Sequence, residues 1–221
     1  MSTEQVFSDI YAKNKWGGKS GTFSSGVGSV SDKIVSPYVS EIRRWMSSIG
    51  ADHMTVVDLG CGDFRVGRQL TNSCKRYIGV DIVEALVEHN ASVFGNSHVE
   101  FRHLNIIKNA LPKGDVCFVR QVLQHLSNEQ ISAILPKLEK YQWVVVTESQ
   151  PLIESLPNID KCHGGDIRLF QNSGVYLEHP PFSIPRERMQ LLLEVEEINN
   201  GLDLPRGVIR TFIINNAKRE L

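Results

Sequence analysis

Short apolar runs alternate with longer segments of helical period from Met54 onward. The runs are rich in β-branched residues, bounded by polar or Gly-containing turns, and short enough to be buried strands. They lie near residues 55–59, 76–81, 98–103, 115–120 and 143–148. This alternation is typical of a parallel sheet whose crossover helices lie on both faces.

Helical periodicity predicts the connecting helices. It runs through 65–72, 83–94 and 127–140, and the last of these segments opens at Ser127, a favourable N-cap. A further amphipathic helix is predicted over 32–48. The side of that helix expected to be buried carries Ile34, Tyr38, Ile42 and Trp45.

The C-terminal part lacks this helical pattern. Residues 189–198 and 208–214 are β-rich runs separated by Asn-, Gly- and Pro-containing turns, which predicts an antiparallel pair. The expected fold is therefore α/β and Rossmann-like, with a central seven-stranded, mostly parallel sheet and helices on both faces. A dinucleotide-binding fold would instead continue with another parallel unit.

Two segments fall outside the repeating unit. Residues 1–50 are predicted to form a helical, Gly-rich lid segment, and 51–221 the main body of what is expected to be a single domain. Residues 149–185, rich in Pro, Gly, His and charged side chains, are predicted to be a substrate insertion. Long insertions beside a regular scaffold often carry specificity.

Composition narrows the range of partners. The net charge of -1 at pH 7 provides no field for a polyanion, so extended nucleic-acid binding is not expected. No apolar run reaches the roughly 20 residues of a membrane helix, and the polar start differs from a secretory signal, so we expect no membrane span and a cytoplasmic location. Neither C-x-x-C nor H-E-x-x-H occurs, and no metal site is predicted. A homodimer is possible on the sequence alone.

A glycine turn follows the first predicted strand. Asp58-x-Gly60-x-Gly62 allows a ligand to approach the backbone closely at the carboxyl edge of a sheet. A dinucleotide motif requires Gly or Ala at position 65, which is Arg65, so the NAD pattern fails. A sulfonium cofactor has no pyrophosphate, and an acidic Asp58 suits its cationic amino-acid part. The turn therefore favours S-adenosylmethionine.

Further cofactor contacts are predicted where the next strands end. Asp81 ends the second strand, where a carboxylate accepts both hydroxyls of a ribose; capping of the following helix is the alternative. Past the third strand, the amide of Asn105 is expected to reach the adenine edge or to form a plain turn. The complete predicted cofactor set is Trp16, Asp58, Gly60, Cys61, Gly62, Asp81, Ile82, Asn105, Ile106 and Gln121.

Three stretches of the chain resemble the class I S-adenosylmethionine-dependent methyltransferases. They read VVDLGCGD from Val56, YIGVDI from Tyr77 and DVCFVRQVLQHL from Asp115. The resemblance implies S-adenosylmethionine as cofactor. Asn105 and Gln121 depart from it, since the family often has acidic residues at both positions.

Outside that region, two motifs resemble a bacterial or viral subgroup often linked to surface-glycan synthesis. They are Tyr11-x-x-x-x-Trp16-Gly17-Gly18-x-Ser20-Gly21 and Gly164-Gly165-Asp166-Ile167-Arg168, the latter with Pro180-Pro181-Phe182. This narrower resemblance implies a sugar acceptor.

Methyl transfer from a sulfonium is an in-line displacement, so the enzyme aligns the nucleophile and, for a hydroxyl, removes a proton. His125 is the first candidate base, because histidine titrates near working pH and this one follows the fourth strand; packing at a helix start is the alternative. Arg120 and Glu148 complete the predicted catalytic group, and Trp16 is predicted to close as a lid or to anchor the N-terminal helix. The predicted acceptor-binding residues are Lys19, His163, Asp166 and Arg168.

The leading hypothesis is O-methylation of a sugar hydroxyl on a glycan or glycan precursor. Methylation of a nitrogen or oxygen in a small metabolite is the nearest alternative. A non-catalytic module that binds the cofactor and serves as a partner subunit is another. A dinucleotide oxidoreductase is opposed by Arg65 and by the C-terminal strand pair.

Overall fold

The computed structural model describes residues 1–19, 21–153, 155–196 and 206–218. The strands are β1 (Thr55–Leu59), β2 (Arg76–Asp81), β3 (Val99–His103), β4 (Val116–Arg120), β5 (Trp143–Pro151), β6 (Met189–Glu196) and β7 (Gly207–Asn215). The helices are α1 (Thr3–Ala12), α2 (Val27–Val30), α3 (Asp32–Ser48), α4 (Glu84–Phe94) and α5 (Asn128–Leu138).

Seven strands within the described ranges form one sheet in the order β3-β2-β1-β4-β5-β7-β6. β2 pairs in parallel with β1 and β3, whereas β7 pairs antiparallel with β5 and β6. The predicted Rossmann-like sheet with an antiparallel C-terminal pair is confirmed. The last two positions of the predicted strand 189–198 lie outside the described residues.

The chain comprises two compact units, Met1–Phe118 and Val119–Leu221. In the first unit, α3 has the bounds predicted from sequence, and Ile34, Tyr38 and Ile42 are buried as expected. Trp45 is only half-buried, and the neighbouring Met46 is buried in its place. The buried face of this helix is therefore rotated slightly about the helix axis relative to the predicted face.

The helix predicted over 65–72 is wrong. Two short 3-10 turns, Gly67–Gln69 and Thr71–Ser73, occupy this stretch. Phe64 precedes them with a positive φ of 60°, and its ring lies 4.7 Å from that of Phe101. Gly67 and the run Thr71-Asn72-Ser73 favour turns over a helix, which weakens the helical pattern. Packing of the Phe64 ring in the core outweighs what remains of that pattern.

Helix α1 was not predicted as a separate element, although the sequence contains its start signal. Ser2 and Gln5 form a capping box, in which each side chain bonds the backbone N–H of the other. Phe7, Ile10 and Tyr11 are its buried residues.

In the second unit, α5 begins at the predicted cap, because Ser127 and Gln130 form another capping box. Strand β5 runs further than predicted, to Pro151, since its antiparallel ladder with β7 continues to the Pro151–Gly207 pair. The insertion that follows is held by Asn158, which is 5% exposed. Its amide donates to the carbonyls of Tyr176 (2.8 Å) and Pro180 (2.9 Å) and accepts from the Tyr176 N–H at 2.8 Å.

No helix among the described residues combines the length and the hydropathy that crossing a membrane requires. The same residues contain no group of three or more His, Cys, Asp or Glu side chains arranged to hold a metal ion.

Candidate functional site

The glycine turn joins β1 to the rest of the first unit. Gly60 and Gly62 have φ values of 73° and 55°. Glycine adopts this left-handed conformation readily, whereas other residues are strained in it. The N–H groups of Gly60 and Cys61 both donate to the carbonyl of Val80, at 2.8 and 3.0 Å. The turn is therefore fastened to the end of β2.

Asp81 stands at that strand end and is 7% exposed. Its Oδ2 accepts the N–H of Gly62 at 3.0 Å, and its Oδ1 accepts the N–H of Val83 at 3.1 Å, beside the start of α4. Burial raises the pKa of Asp81, and these N–H groups act in the opposite direction. These two N–H groups and that of Ile82 take three of the roughly four lone-pair sites of a carboxylate, so Asp81 clamps the turn and keeps room for a ligand hydroxyl.

Asp58 is equally buried, and its Oδ2 accepts the hydroxyl of Tyr77 at 2.8 Å. Burial, together with the charge of Asp58, raises the pKa of Tyr77 well above its usual value, so the phenol stays protonated and donates. Cys61 is half-buried, and its Sγ lies 3.1 Å from the position that a Cβ on Gly79 would take. The Phe101 ring lies closer still, at 2.7 Å, so glycine in β2 makes room for this ring and for the thiol.

Two residues outside the predicted cofactor set also hold the turn. Asn90 of α4 is fully buried, and its Nδ2 donates to the carbonyl of Gly62 at 2.8 Å. Asp63 is 8% exposed and accepts the N–H groups of Ser25 (3.0 Å) and Arg65 (3.2 Å). Asn90 was recognisable from the sequence because it lies on the apolar face of a predicted helix. A buried amide at such a place needs a hydrogen-bond partner.

The N-terminal segment lies directly on the turn. A Cβ on Gly62 would stand 2.4 Å from Ser25 Oγ and 3.3 Å from the Tyr11 hydroxyl. Trp16 is half-buried and packs edge-on against Tyr11, with ring centroids 5.3 Å apart. Lys19 is exposed, and its backbone N–H donates to Thr22 Oγ1 at 3.2 Å. Glycine at position 62 is thus required by the chain's own N-terminal segment.

The predicted adenine-binding positions follow β2 and β3. Asn105 Oδ1 accepts the N–H groups of Ile107 (2.9 Å) and Lys108 (3.2 Å), so the residue forms a local turn. The NH₂ group of Asn105 is therefore the part of the side chain that would contact an adenine. Ile106 is buried, and Ile82 is half-buried with its carbonyl 3.0 Å from His103 Nε2.

In the second unit, β4 ends in a strained turn. Gln121 has a positive φ of 53°, and its N–H donates to the Thr147 carbonyl at 2.7 Å. Its side chain accepts from Arg120 Nη1 at 3.3 Å and donates to Ser149 Oγ at 3.4 Å. A glutamine in the left-handed region that is bonded to two residues of β5 is consistent with a functional position.

Glu148 of β5 is 3% exposed and bonds to three consecutive backbone N–H groups. Its Oε1 accepts from Val122 (3.1 Å) and Leu123 (2.8 Å), and its Oε2 accepts from Gln124 (3.1 Å). Burial raises the pKa of Glu148 to about 7 against these N–H groups and the charge of Arg168. The carboxyl group therefore fixes the turn that leads into His125.

His125 is 9% exposed and lies in a chain of hydrogen bonds. The N–H of Ser149 donates to Gln124 Oε1 (3.2 Å), which turns the Gln124 amide nitrogen toward His125 Nε2 at 3.5 Å. His125 Nδ1 lies 3.1 Å from the Gly164 carbonyl and must therefore donate, so Nε2 is the unprotonated nitrogen. Burial, followed by the charge of Lys161, lowers the pKa of His125 to about 4.

The predicted acceptor residues of the second unit have different environments. Arg168 is 1% exposed and donates to the carbonyls of Ile159 and Leu126, the latter at 2.7 Å. His163 Nδ1 lies 3.2 Å from Gln130 Nε2, and Asp166 is exposed. Arg168 thus holds the insertion to the end of the His125 turn, while His163 and Asp166 lie nearer the surface.

Residues 56–141 match the family model of a methyltransferase domain. Among curated proteins, no sequence matches the chain significantly. Among solved structures, the chain is similar to magnesium protoporphyrin IX methyltransferase from Synechocystis PCC 6803 with bound SAM, at 16% identity and a TM-score of 0.56, covering 97% of this chain and 98% of that one.

Two other similar structures are N-methyltransferase NodS from Bradyrhizobium japonicum WM9 with S-adenosylhomocysteine, and the methyltransferase domain of bacterial CtHen1. The first has 14% identity and a TM-score of 0.53, covering 80% of this chain and 88% of that one. The second has 16% identity and a TM-score of 0.56, covering 80% and 97%. These similarities agree with the predicted methyltransferase fold; the resemblance to a glycan-linked subgroup stays a prediction.

Proposed function

We propose that this chain is an S-adenosylmethionine-dependent methyltransferase that methylates a sugar hydroxyl on a glycan or glycan precursor. The observation that carries the cofactor assignment is the pair of left-handed glycines, Gly60 and Gly62, clamped by the buried carboxylate of Asp81. The match to a methyltransferase domain includes this turn, and two of the similar structures hold SAM or S-adenosylhomocysteine.

The residues of the first unit fit such a cofactor chemically. The buried Asp81 carboxylate at the end of β2 keeps a lone-pair site for a ribose hydroxyl beside its bonds to backbone N–H groups. The buried carboxylate of Asp58 provides negative charge for the ammonium group of the amino-acid part. When bound, the cofactor supplies the electrophilic methyl group of a sulfonium, and the chain's own task is alignment and proton removal.

His125 is the proposed proton acceptor for a hydroxyl nucleophile. Its hydrogen bond to the Gly164 carbonyl holds it in the tautomer with an unprotonated Nε2, which faces the Gln124 amide nitrogen. Burial lowers its pKa to about 4, so it is neutral at physiological pH but does not titrate near working pH as the sequence predicted, and it is a weaker base than an ordinary histidine. Glu148 supports this role by fixing the backbone of the preceding turn, so its proposed contribution to catalysis is to position His125. Arg120, with Gln121, is proposed to line the methyl-donor end.

The sugar acceptor rests on the resemblance of the 164–168 and 180–182 motifs. Its structural support is that the insertion is fixed by buried polar side chains. Asn158 bonds the carbonyls of Tyr176 and Pro180, and Arg168 joins the carbonyl of Ile159 in the insertion to that of Leu126 outside it. His163 and Asp166 on this insertion are proposed to bond sugar hydroxyls. The cytoplasmic location is part of the same proposal.

One observation favours the small-metabolite alternative. Ile153, Leu156 and Phe170 of the same insertion are 69%, 71% and 56% exposed. Exposed apolar side chains mark a binding site where they form one contiguous patch. An acceptor with an apolar portion would cover them, whereas a bare sugar would not.

The acceptor class is tested by measuring S-adenosylhomocysteine formation with a panel of sugar nucleotides and oligosaccharides, and in parallel with apolar small molecules bearing a hydroxyl or amine. A matched variant, Asp166→Asn, removes one charge from the exposed acceptor residue without disturbing a buried bond. We expect the wild type to methylate a sugar and Asp166→Asn to methylate the same sugar more slowly. Turnover confined to apolar molecules would contradict the sugar assignment and leave the cofactor assignment intact.

A further inference from the structure

Two hydroxyl groups from the N-terminal segment meet at the glycine turn. Tyr11, 8% exposed, places its hydroxyl 2.8 Å from Ser25 Oγ. Ser25 is fixed to the turn in both directions, because its N–H donates to Asp63 Oδ2 at 3.0 Å and its Oγ accepts the Asp63 N–H at 2.8 Å. Both hydroxyls lie beside Gly62, as the contacts of a Cβ built there show.

The Tyr11–Ser25 hydroxyl pair retains one hydrogen-bond donor. Each hydroxyl has one proton, and only one proton lies in the bond between the two oxygens. Asp63 cannot alter the count, because its N–H donates to Ser25 and takes no proton from it. Burial, followed by the charge of Asp81, raises the pKa of Tyr11, which keeps the phenol proton in place. One O–H of the pair is therefore available beside Gly62 whichever oxygen donates to the other.

The surroundings indicate what such a donor would serve. Asp58, Asp63 and Asp81 are all buried around the turn, and their charge favours an ammonium group but repels a carboxylate. A ligand that has both groups needs neutral donors for its carboxylate. The cofactor of the proposed function has this composition in its amino-acid part, and its ribose is assigned to Asp81.

We propose that the Tyr11–Ser25 hydroxyl pair binds the carboxylate of the cofactor's amino-acid part. This inference rests on the proposed function for the identity of the cofactor. It adds to the binding site two residues of the N-terminal segment that are absent from the predicted cofactor set, which has Trp16 from that segment. The N-terminal segment then covers the turn and also contacts the cofactor.

The proton count makes the effect of mutation unusual. Tyr11→Phe leaves the proton of Ser25 available, and Ser25→Ala leaves that of Tyr11, so each single variant keeps one donor. Only the double variant has none. We expect each single change to weaken S-adenosylhomocysteine binding by less than about 5-fold and the double change by about 20-fold or more, within the range for a lost bond to a charged group.

The experiment is calorimetric titration of the wild type, both single variants and the double variant with S-adenosylhomocysteine and with 5′-methylthioadenosine. The second ligand keeps adenine and ribose but lacks the amino-acid part, so the double variant should bind it within about 2-fold of the wild type, since no lost contact involves it. Ser29→Ala is the matched control, because the one hydrogen bond of Ser29 Oγ within the described part of the chain goes to the Ser25 carbonyl, at 3.4 Å.

Two results would overturn the inference. Unchanged S-adenosylhomocysteine affinity in the double variant would remove the pair from the site. Equal weakening of both ligands would show that the hydroxyls only support the turn. Failure of the proposed function would look different, since the wild type itself would then bind neither ligand.

Discussion

Substitution of Gly62 by alanine tests whether the N-terminal segment is seated on the glycine turn. The φ of 55° at this position costs alanine about 1–2 kcal/mol through backbone strain alone. The new Cβ would also stand 2.4 Å from Ser25 Oγ, so Ser25 must move. Its movement breaks its two bonds to Asp63 and its bond to Tyr11, each worth roughly 1 kcal/mol net. The expected loss in free energy of unfolding is therefore about 4–5 kcal/mol.

Gly17→Ala is the matched control, because Gly17 also has a positive φ, of 88°, but a Cβ there meets nothing within 4 Å. It should show the strain alone, about 1–2 kcal/mol. Urea unfolding gives both values, and trypsin should cleave the Gly62 variant faster at the exposed Lys13, Lys15 and Lys19. Equal stability losses in the two variants, with unchanged cleavage, would refute the seating of Ser25 on the turn.

Three further predictions concern single side chains. Asp81→Ala should weaken cofactor binding by about 1–3 kcal/mol in calorimetry, and unchanged affinity would remove Asp81 from the site; its melting temperature should also fall, because the N–H groups of Gly62 and Val83 lose their acceptor. His125→Ala should lower kcat by about 100-fold or more with little change in cofactor affinity, whereas equal turnover would exclude it as the base. The pKa of Glu148, raised by burial to about 7 from 4.5, means that the folded state favours the protonated carboxyl. The stability it contributes is present below about pH 4.5 and is lost as the pH rises through about 7, by up to about 3 kcal/mol. Urea unfolding of Glu148→Gln should lack this fall, and a fall of equal size in the variant would assign it to another group.

The strands could be predicted from sequence because the physical signal is local. β1 and β2 have the predicted bounds, since each is a compact β-branched run ended by an aspartate or glycine turn. The segment after the turn could not be predicted in this way. Its structure is decided by where Phe64 packs, and its partner Phe101 is distant in sequence.

The same distinction divides the candidate site. The glycine turn and Asp81 are recognisable from spacing, but Ser25 lies 38 residues from its partner Asp63 and no periodicity connects them. Glu148 was predicted as catalytic from its place at a strand end. Its partners are backbone N–H groups, which a pattern of side chains does not reveal.

The turn at Gly60–Gly62 is proposed to bind S-adenosylmethionine. Calorimetric titration of the purified protein with S-adenosylmethionine, S-adenosylhomocysteine and NAD measures this binding. We expect micromolar binding of the first two ligands and no binding of NAD. Binding of NAD alone, or of no ligand, would contradict it.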